Sequence, residues 1–214
     1  MSTTYLKDLN TNLNNLNTLN KQLTTGKEIS KPSDNPFKTA RIMQMYSDIS
    51  ANKQYNENIK DTINWLDTTD VALEQIGNSA QRIRELMVSA GNASYGSDEK
   101  NALKEEINEK INEIAQVLNT NYDGKYIFGG TKSLSKPVGV EKDSNGNNIL
   151  VFKDDNGNSF NEEGKAYIKN ADGTITRDAN GNLAVEANPK PEYEKLLNQM
   201  NANLSVEVSN GVNM

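Results

Sequence analysis

Residues 35–90 read NPFKTARIMQMYSDISANKQYNENIKDTINWLDTTDVALEQIGNSAQRIRELMVSA and decide the fold. After Pro36 no proline occurs before Pro137. Apolar residues recur at gaps of three, four and seven, the period of one helix face. They are Ile42, Met45, Ile49, Ile59, Ile63, Leu66, Leu73, Ile76, Ala80, Ile83, Met87 and Ala90. An unbroken helix of this length would be on the order of 80 Å long. It cannot bury this stripe against itself, so we expect other helices, from this chain or from neighbouring chains, to cover it.

A second leucine pattern precedes the long helix. Leucines with seven-residue spacings match the a and d positions of a coiled coil: Leu6, Leu9, Leu13, Leu16, Leu19 and Leu23. The residues between them are mainly asparagine and threonine, which are poor helix formers, so a lone helix here is marginal in water. Two interpretations stay open. The helix packs within its own domain, or the segment is disordered alone and folds on assembly.

Helix-boundary signals divide the first 130 residues. Gly26 fits the C′ position after the first helix, and Asn35, followed by proline, fits an N-cap. Two glycines bracket the break after the long helix, and Ser97 is the predicted N-cap of a third helix that runs to about Asn121. Because the connection is short, we expect this helix to lie antiparallel against the second half of the long one.

The pattern changes to that of a β domain from about residue 131. Asn-Gly or Asp-Gly dipeptides begin at positions 145, 156, 172 and 180 and predict type I′ hairpin turns. The strand candidates are Asn148–Phe152, Ala166–Lys169, Thr174–Arg177 and Leu183–Ala187. A short helix at Pro191–Met200 and a last strand at Leu204–Val208 follow.

These patterns predict an α+β fold, in which antiparallel long helices form an elongated rod with an inserted small β domain. We expect three domains. Residues 1–34 form a coiled-coil assembly segment with its linker, 35–130 the helical rod, and 131–214 a β-rich domain. The apolar fraction of 35% in 214 residues, below the ~45–50% of ordinary globular chains, also favours an elongated body over one large core.

The composition excludes several classes of function. The net charge is −6 and no cluster of Lys and Arg is visible, so nucleic acid is not an expected partner. The longest apolar run, Ile149–Phe152, is far too short to insert into a membrane. Cysteine and histidine are both absent, which removes the commonest nucleophiles, general bases and metal ligands.

No constellation for catalysis is visible. The Asp/Asn/Gly clusters fail the ligand spacing of a calcium loop and are better explained as hairpin turns. Gly129 and Gly130 lack the lysine and the helix that follow in a phosphate loop. We therefore predict no enzyme, no catalytic or metal site and no cofactor. A glycan- or adhesin-type binding module stays open as an alternative, with Tyr167 and Phe160 as its exposed aromatic residues.

Three segments carry a resemblance to a known family. Thr25–Pro36 (TGKEISKPSDNP) resembles the linker before the long helix of bacterial flagellin-like proteins, and Gln81–Leu86 (QRIREL) is similar to a helix segment of flagellins. Tyr126–Thr131 (YIFGGT) looks like the Tyr-Leu-Phe-Gly-Gly segment of the members that join hook to filament. Together these matches cover about residues 1–131.

The resemblance implies a structural protein of the bacterial flagellum, extracellular and exported unfolded by the type III apparatus without a cleavable signal peptide. Its implied partners are like subunits in a ring, hook-associated protein 1, flagellin and an export chaperone. The implied assembly residues are Leu6, Leu9, Leu13, Leu16, Leu23, Arg82, Arg84, Glu85 and Leu86. By position, the last four are also candidates for recognition by an innate receptor of a host.

Other interpretations remain beside this one. A filament flagellin is the nearest alternative, and Arg82 with Glu85 would in the simplest case form an ordinary exposed ion pair three residues apart. Family members end in a C-terminal helix that pairs with the N-terminal one. The sequence ends at Met214 without such a helix, so we expect a shortened form whose leucines lack that cover.

Overall fold

The computed structural model describes residues 2–29, 31–91 and 95–213. The chain divides into two compact units, Met1–Glu57 and Asn58–Met214. The elements in chain order are α1 (Ser2–Thr25), α2 (Pro36–Ala90), α3 (Ser97–Leu118), β1 (Asn121–Tyr122), β2 (Lys125–Tyr126), a 3₁₀ helix (Ile127–Gly129), β3 (Val138–Lys142), β4 (Asn148–Lys153), β5 (Ser159–Phe160), α4 (Pro191–Met200), β6 (Glu207–Ser209) and β7 (Val212–Asn213). Long helices are thus followed by small antiparallel sheets, which confirms the predicted fold class.

The first unit contains α1 and the start of α2, joined by a turn whose cap residues follow the sequence signals. Gly26 has φ 64° and donates its N–H to the carbonyl of Gln22 at 2.8 Å, as a C′ glycine does. Asn35 accepts the N–H of Lys38 on its side-chain oxygen at 3.0 Å and so caps α2. The predicted linker is confirmed, with residue 30 outside the described part.

The second unit contains an antiparallel helix pair. Ser79 of α2 donates to Glu113 of α3, and Arg82 of α2 donates to Glu106 of α3. The two helices therefore run in opposite directions. Ser97 is the first residue of α3, and Gly96 occupies the N-cap position predicted for Ser97. Helix α3 ends before the predicted Asn121 because Asn119, with φ −98° and ψ 24°, leaves helical geometry and Asn121 pairs with Tyr126 as a strand residue. Residues 92–94, in the connection, lie outside the described residues.

A tight hairpin of β1 and β2 follows α3. Its turn residues Asp123 and Gly124 have φ 50° and 76°, the two positive values that a type I′ turn requires. Tyr122 packs edge-on against Trp65 of α2, with ring centroids 5.9 Å apart. The hairpin therefore fixes the end of α3 against the long helix.

The β domain is built on the three-stranded antiparallel sheet β3–β4–β5. In its register Val138 is opposite Phe152 and Lys142 is opposite Asn148, so the predicted strand Asn148–Phe152 is confirmed. The other three predicted strands are wrong as strands. They pair only at isolated bridges, such as Tyr167 with Val185, because the turns follow one another too closely for longer ladders.

The predicted type I′ turns in this domain are also wrong. Asp123 is the one non-glycine residue with positive φ in the described chain, whereas a type I′ turn needs φ above zero at both central residues. Each loop is longer and places glycine at its fourth position, with φ between 72° and 84°. Side-chain oxygens contribute to the difference, because the first residue of four of the loops accepts backbone N–H groups in the manner of an Asx turn, whereas in the loop at Asn170 this role falls to Asp172.

The same loop occurs five times, beginning at Asp143, Asp154, Asn161, Asn170 and Asp178. In the first, Asp143 donates its N–H to the carbonyl of Asn147 at 2.9 Å and accepts that of Gly146 at 3.0 Å. Its side-chain oxygen also accepts the N–H groups of Asn145 and Asn147. The loop at Asn161 carries a Glu-Gly dipeptide, and the sequence analysis therefore missed it. The β domain therefore uses one type of turn repeatedly.

Helix α4 completes the core of the domain at the predicted position. Phe160 is fully buried and stacks on Tyr193 of α4 at 4.6 Å between ring centroids, with Phe152 on its other side at 5.8 Å. The expectation that Phe160 is exposed is therefore wrong. It faces inward because β5 pairs with β4 and points the ring at α4.

The last strand lies slightly later than predicted. The sequence favours Leu204–Val208, whereas β6 begins at Glu207 and pairs with β7. Asn58 of α2 donates its side-chain amide to the carbonyl of Glu207 at 2.9 Å, so this hairpin is anchored on the long helix. None of the described helices combines the length and the apolarity that a membrane span requires.

Candidate assembly interface

The apolar face of α1 is solvent-exposed in the described chain. Its leucines expose between 44% and 82% of their surface, and the group includes the five predicted contact residues: Leu6, Leu9, Leu13, Leu16 and Leu23. Four threonine hydroxyls of α1 donate to the carbonyl four residues back, so these polar groups are satisfied within the helix. An exposed stripe of this kind marks a surface that another element can cover.

The first half of α2 continues in the same manner. Met45, Ile49 and Ile63 belong to the predicted stripe and each exposes about half of its surface. Asn52 and Asn56 interrupt the stripe, and they bond each other, since Asn56 donates to the side chain and the carbonyl of Asn52. The sequence-predicted need for covering helices therefore holds for this part of the molecule.

Arg82 forms a three-residue charge cluster on the helix pair. Its Nη2 donates to Glu106 of α3 at 2.6 Å, and its Nη1 approaches Glu85 at 3.4 Å. The hydrogen bond and the charge of Glu106 raise the pKa of Arg82. The ion pair predicted between Arg82 and Glu85 is present, but Glu106 is the closer partner. The sequence analysis missed Glu106, which the antiparallel register of the two helices would have indicated.

A second polar cluster lies further along the pair. Lys110 and Ser79 donate to the two carboxylate oxygens of Glu113, at 2.6 and 2.9 Å. The hydrogen bonds from Lys110 and Ser79 hold the pKa of Glu113 below its ordinary value. Both clusters fix the relative register of α2 and α3 and thus the direction in which the neighbouring side chains point.

The remaining predicted residues of this segment fall into two environments. Arg84 and Glu85 line an open surface groove on α2, together with Gln81 and Val88. Leu86 is 3% exposed and packs in the interior of the second unit. The structure therefore pairs Arg82 with Glu85 and places Glu85 beside Arg84 in the groove, whereas Leu86 is buried.

The segment Tyr126–Thr131 forms the docking site of α4. Gly130 has φ 57° and ψ −130°, and a Cβ atom on it would lie 2.4 Å from the carbonyl oxygen of Met200. Thr131 donates both its N–H and its hydroxyl to the carbonyl of Gln199, each at 2.9 Å. Thr131 therefore satisfies a backbone carbonyl at the C-terminal end of α4, and Gly130 leaves room for the next one. The sequence alone did not indicate this role.

Asparagines attach the β domain to the outer face of α3. The backbone N–H of Asn148 donates to the side chain of Asn108 at 2.9 Å, and its amide donates to the carbonyl of Asn108 at 3.0 Å and to Asn112 at 3.1 Å. Asn119 bonds the backbone of Val138 in both directions. Since Asn108 and Asn148 are buried, this polar contact fixes one position of the sheet on the helix.

Metal-ligating side chains are not clustered in the described part of the chain. In the ranges 2–29, 31–91 and 95–213 no group of three acidic side chains is placed to hold a metal ion, and the sequence contains neither His nor Cys.

Comparison with known proteins agrees with this description. The flagellin of Clostridium tyrobutyricum is 26% identical over 133 residues, which cover 62% of this chain and 35% of that protein. The flagellin of Salmonella paratyphi A is 29% identical over 145 residues, 67% of this chain and 29% of that protein. The chain therefore matches only about a third of the length of these curated relatives.

The fold also has a solved counterpart. A provisionally named flagellar hook-associated protein from Vibrio parahaemolyticus superposes with a TM-score of 0.51 and 17% identity. The likeness covers 86% of this chain and 60% of that one. Residues 1–133 match the family model described as the bacterial flagellin N-terminal helical region. Because that match spans more than half of the sequence, the chain belongs to the flagellin family.

Proposed function

We propose that the protein is a structural subunit of the bacterial flagellum that joins the hook to the filament, in the manner of hook-associated protein 3. The observation that carries the assembly role is the exposed leucine face of α1, together with the exposed apolar residues of the first half of α2. A helix face of this size is suited to packing against like helices of neighbouring subunits.

The junction role rests on Tyr126–Thr131. This segment is similar to the one that marks junction members of the family, and it is built into the docking of α4 through Gly130 and Thr131. The structural counterpart named as a hook-associated protein supports the same assignment. In this proposal residues 1–34, 35–130 and 131–214 act as assembly segment, helical rod and outer β domain.

The proposed partners follow from the role. Like subunits form a ring that contacts hook-associated protein 1 on one side and flagellin on the other, after type III export with a chaperone. Leu6, Leu9, Leu13, Leu16 and Leu23 supply the inner contacts in this scheme. Arg82, Arg84 and Glu85 supply a lateral contact, and the same surface is the candidate for a host innate receptor.

A filament flagellin is the second candidate, because the curated relatives are flagellins. Deletion of the gene in the source bacterium separates the two. Loss of a junction subunit leaves hooks without filaments, while flagellin is secreted and recovered from the medium. Loss of the filament subunit leaves hooks and removes that flagellin from the medium. The second outcome would overturn the junction role.

The glycan-binding alternative has lost its basis. Phe160, one of its two aromatic candidates, is fully buried in the core, and Tyr167 is half-buried. A ring that stacks on Tyr193 inside the domain cannot also stack on a sugar.

A further inference from the structure

Asparagine followed by glycine occurs at four places, beginning at Asn145, Asn156, Asn180 and Asn210. In such a pair the glycine nitrogen can attack the side-chain amide carbon of the asparagine. A C–N bond forms, ammonia leaves and a succinimide ring results. Water then opens the ring to aspartate or isoaspartate. All four asparagines are exposed, so access to solvent does not distinguish them.

Three of the four pairs are held by their loops. The glycine N–H donates to a backbone carbonyl in each, Gly146 to Asp143 at 3.0 Å, Gly157 to Asp154 at 3.2 Å and Gly181 to Asp178 at 3.0 Å. The N–H of the asparagine itself donates to the carboxylate of the same aspartate at 2.9 Å in every case. Attack requires the nitrogen to turn toward the side chain and lose its proton, which disrupts this arrangement.

The fourth pair has a different environment. Asn210 and Gly211 form the turn between β6 and β7, next to the paired residues Ser209 and Val212. The N–H of Gly211 donates to the side-chain carboxylate of Glu207 at 3.2 Å, and the space where a Cβ of Gly211 would lie is open. A carboxylate is a base, whereas the carbonyl oxygens in the other loops are not.

We propose that Asn210 is a site of spontaneous deamidation, at which the nitrogen of Gly211 is the nucleophile and Glu207 accepts its proton. The reaction consumes one water, releases one ammonia and needs no enzyme. The three asparagines in the repeated loops are protected by their hydrogen bonds. This assignment is independent of the proposed role in the flagellum.

The product changes the hairpin in two ways. A new carboxylate appears within the turn that already carries Glu207, and like charges repel. Isoaspartate also adds a methylene group to the main chain of a two-residue turn, which disturbs the register between Ser209 and Val212. Since Asn58 holds Glu207 against α2, the change loosens this contact in ageing molecules.

The test compares the four sites in one sample. The folded chain is incubated at neutral pH, and peptide mapping by mass spectrometry measures the deamidated and isoaspartate forms at each asparagine. Asn210 should react faster than the other three on the order of tenfold, which is about the rate effect of one backbone hydrogen bond. In guanidinium chloride the four rates should converge. Equal rates in the folded chain would overturn the proposal.

Two variants test the role of Glu207. Glu207→Gln should slow deamidation of Asn210, since the neutral amide cannot take the proton, and Glu162→Gln removes one exposed negative charge elsewhere as a matched control. Circular dichroism confirms that both variants keep the fold. An unchanged rate in Glu207→Gln, or an equal decrease in the control, would overturn the assignment of Glu207 as the proton acceptor.

Discussion

At Gly130 the absence of a side chain decides whether α4 can dock. The position combines a positive φ with a carbonyl oxygen of Met200 only 2.4 Å from where a Cβ would lie. We expect Gly130→Ala to lower the free energy of unfolding by about 1–3 kcal/mol beyond the backbone cost of placing alanine at a positive φ, because the carbonyl of Met200 must also move. Urea unfolding followed by circular dichroism measures this difference.

Gly124 provides the matched control for that prediction. It also has a positive φ, of 76°, but no heavy atom lies within 4 Å of a Cβ placed there. Gly124→Ala should therefore show only the backbone cost, about 1–2 kcal/mol. Equal destabilisation in the two variants would show that the contact with α4 is unimportant.

Asp143 is the second residue whose environment has a measurable consequence. Its side chain is fully buried and pairs with Arg177 at 2.6 Å. Burial by itself would raise the pKa of Asp143, but the backbone N–H of Asn147 and the Arg177 side chain outweigh it and hold the pKa below its ordinary value. The carboxylate therefore stabilises the fold above the unfolded pKa of about 3.9, and this contribution is lost as the pH falls toward the folded value.

We expect Asp143→Asn to lower the free energy of unfolding by about 2–3 kcal/mol at pH 7, since Arg177 loses a charged partner. The gap between variant and wild type should narrow as the pH falls below about 4. Asp178→Asn is the control, because Asp178 begins the same kind of loop but is exposed. Urea unfolding at several pH values measures both variants. A difference in unfolding free energy between Asp143→Asn and wild type that stays constant down to about pH 2, well below the ordinary pKa of an aspartate, would contradict the prediction.

At the scale of elements, the two halves of the helical region differ in cover. Within residues 38–55 of α2 nearly every side chain is exposed, whereas α3 buries Asn108, Ile114 and Ala115 and is bonded on two sides. We expect faster amide exchange in residues 38–55 than in residues 104–118, because local opening is easier where fewer groups are buried. Hydrogen–deuterium exchange with mass spectrometry on the monomeric chain measures both segments. Faster exchange in 104–118 would refute this picture.

The helical elements were predictable because their signals are local. Gaps of three and four residues, the Asn35 cap and the prolines that begin α2 and α4 are all read within about one turn of helix. The turn types were not predictable from dipeptides alone. In four of the five loops the side chain of an aspartate or asparagine three positions before the glycine accepts backbone N–H groups, and this preference competes with the type I′ signal.

Contacts between residues that are distant in the chain could not be predicted from the sequence either. Glu106 becomes the partner of Arg82 only through the register of α2 and α3. Thr131 meets Gln199 across 68 positions of the chain, and no periodicity links them. The same holds for Phe160, whose burial depends on where α4 packs. Local chemistry predicts the elements, and their packing decides which side chains remain available.

At the scale of the whole molecule, the proposed lateral contact through Arg82, Arg84 and Glu85 can be tested separately from the stability of the fold. Arg82→Ala/Glu85→Ala removes exposed charges, so the free energy of unfolding should change little. If the segment is a subunit contact, bacteria carrying the double variant should lose filament attachment and motility. Motility in soft agar and electron microscopy of the cell surface measure the effect.

Lys165→Ala/Glu163→Ala is the control, since it removes another ion pair, of 2.6 Å, between the partly exposed Lys165 and the exposed Glu163 of the β domain. It should leave motility unchanged. Normal motility in the Arg82/Glu85 variant would refute the interface role. Loss of the folded protein in that variant would show instead that the Arg82–Glu106 bond supports the helix pair.

The contact between Thr131 and Gln199 has a consequence for how this chain can vary. The two residues mark the entry to and the exit from the β domain, and they lie within one hydrogen bond, 2.9 Å, of each other. A segment whose ends meet can be exchanged for another without moving what lies on either side. Residues 132–198 therefore begin and end at one place. Lengthening or shortening an exposed loop within them, such as the one that contains Asn156, should leave the contact between Thr131 and Gln199 unchanged.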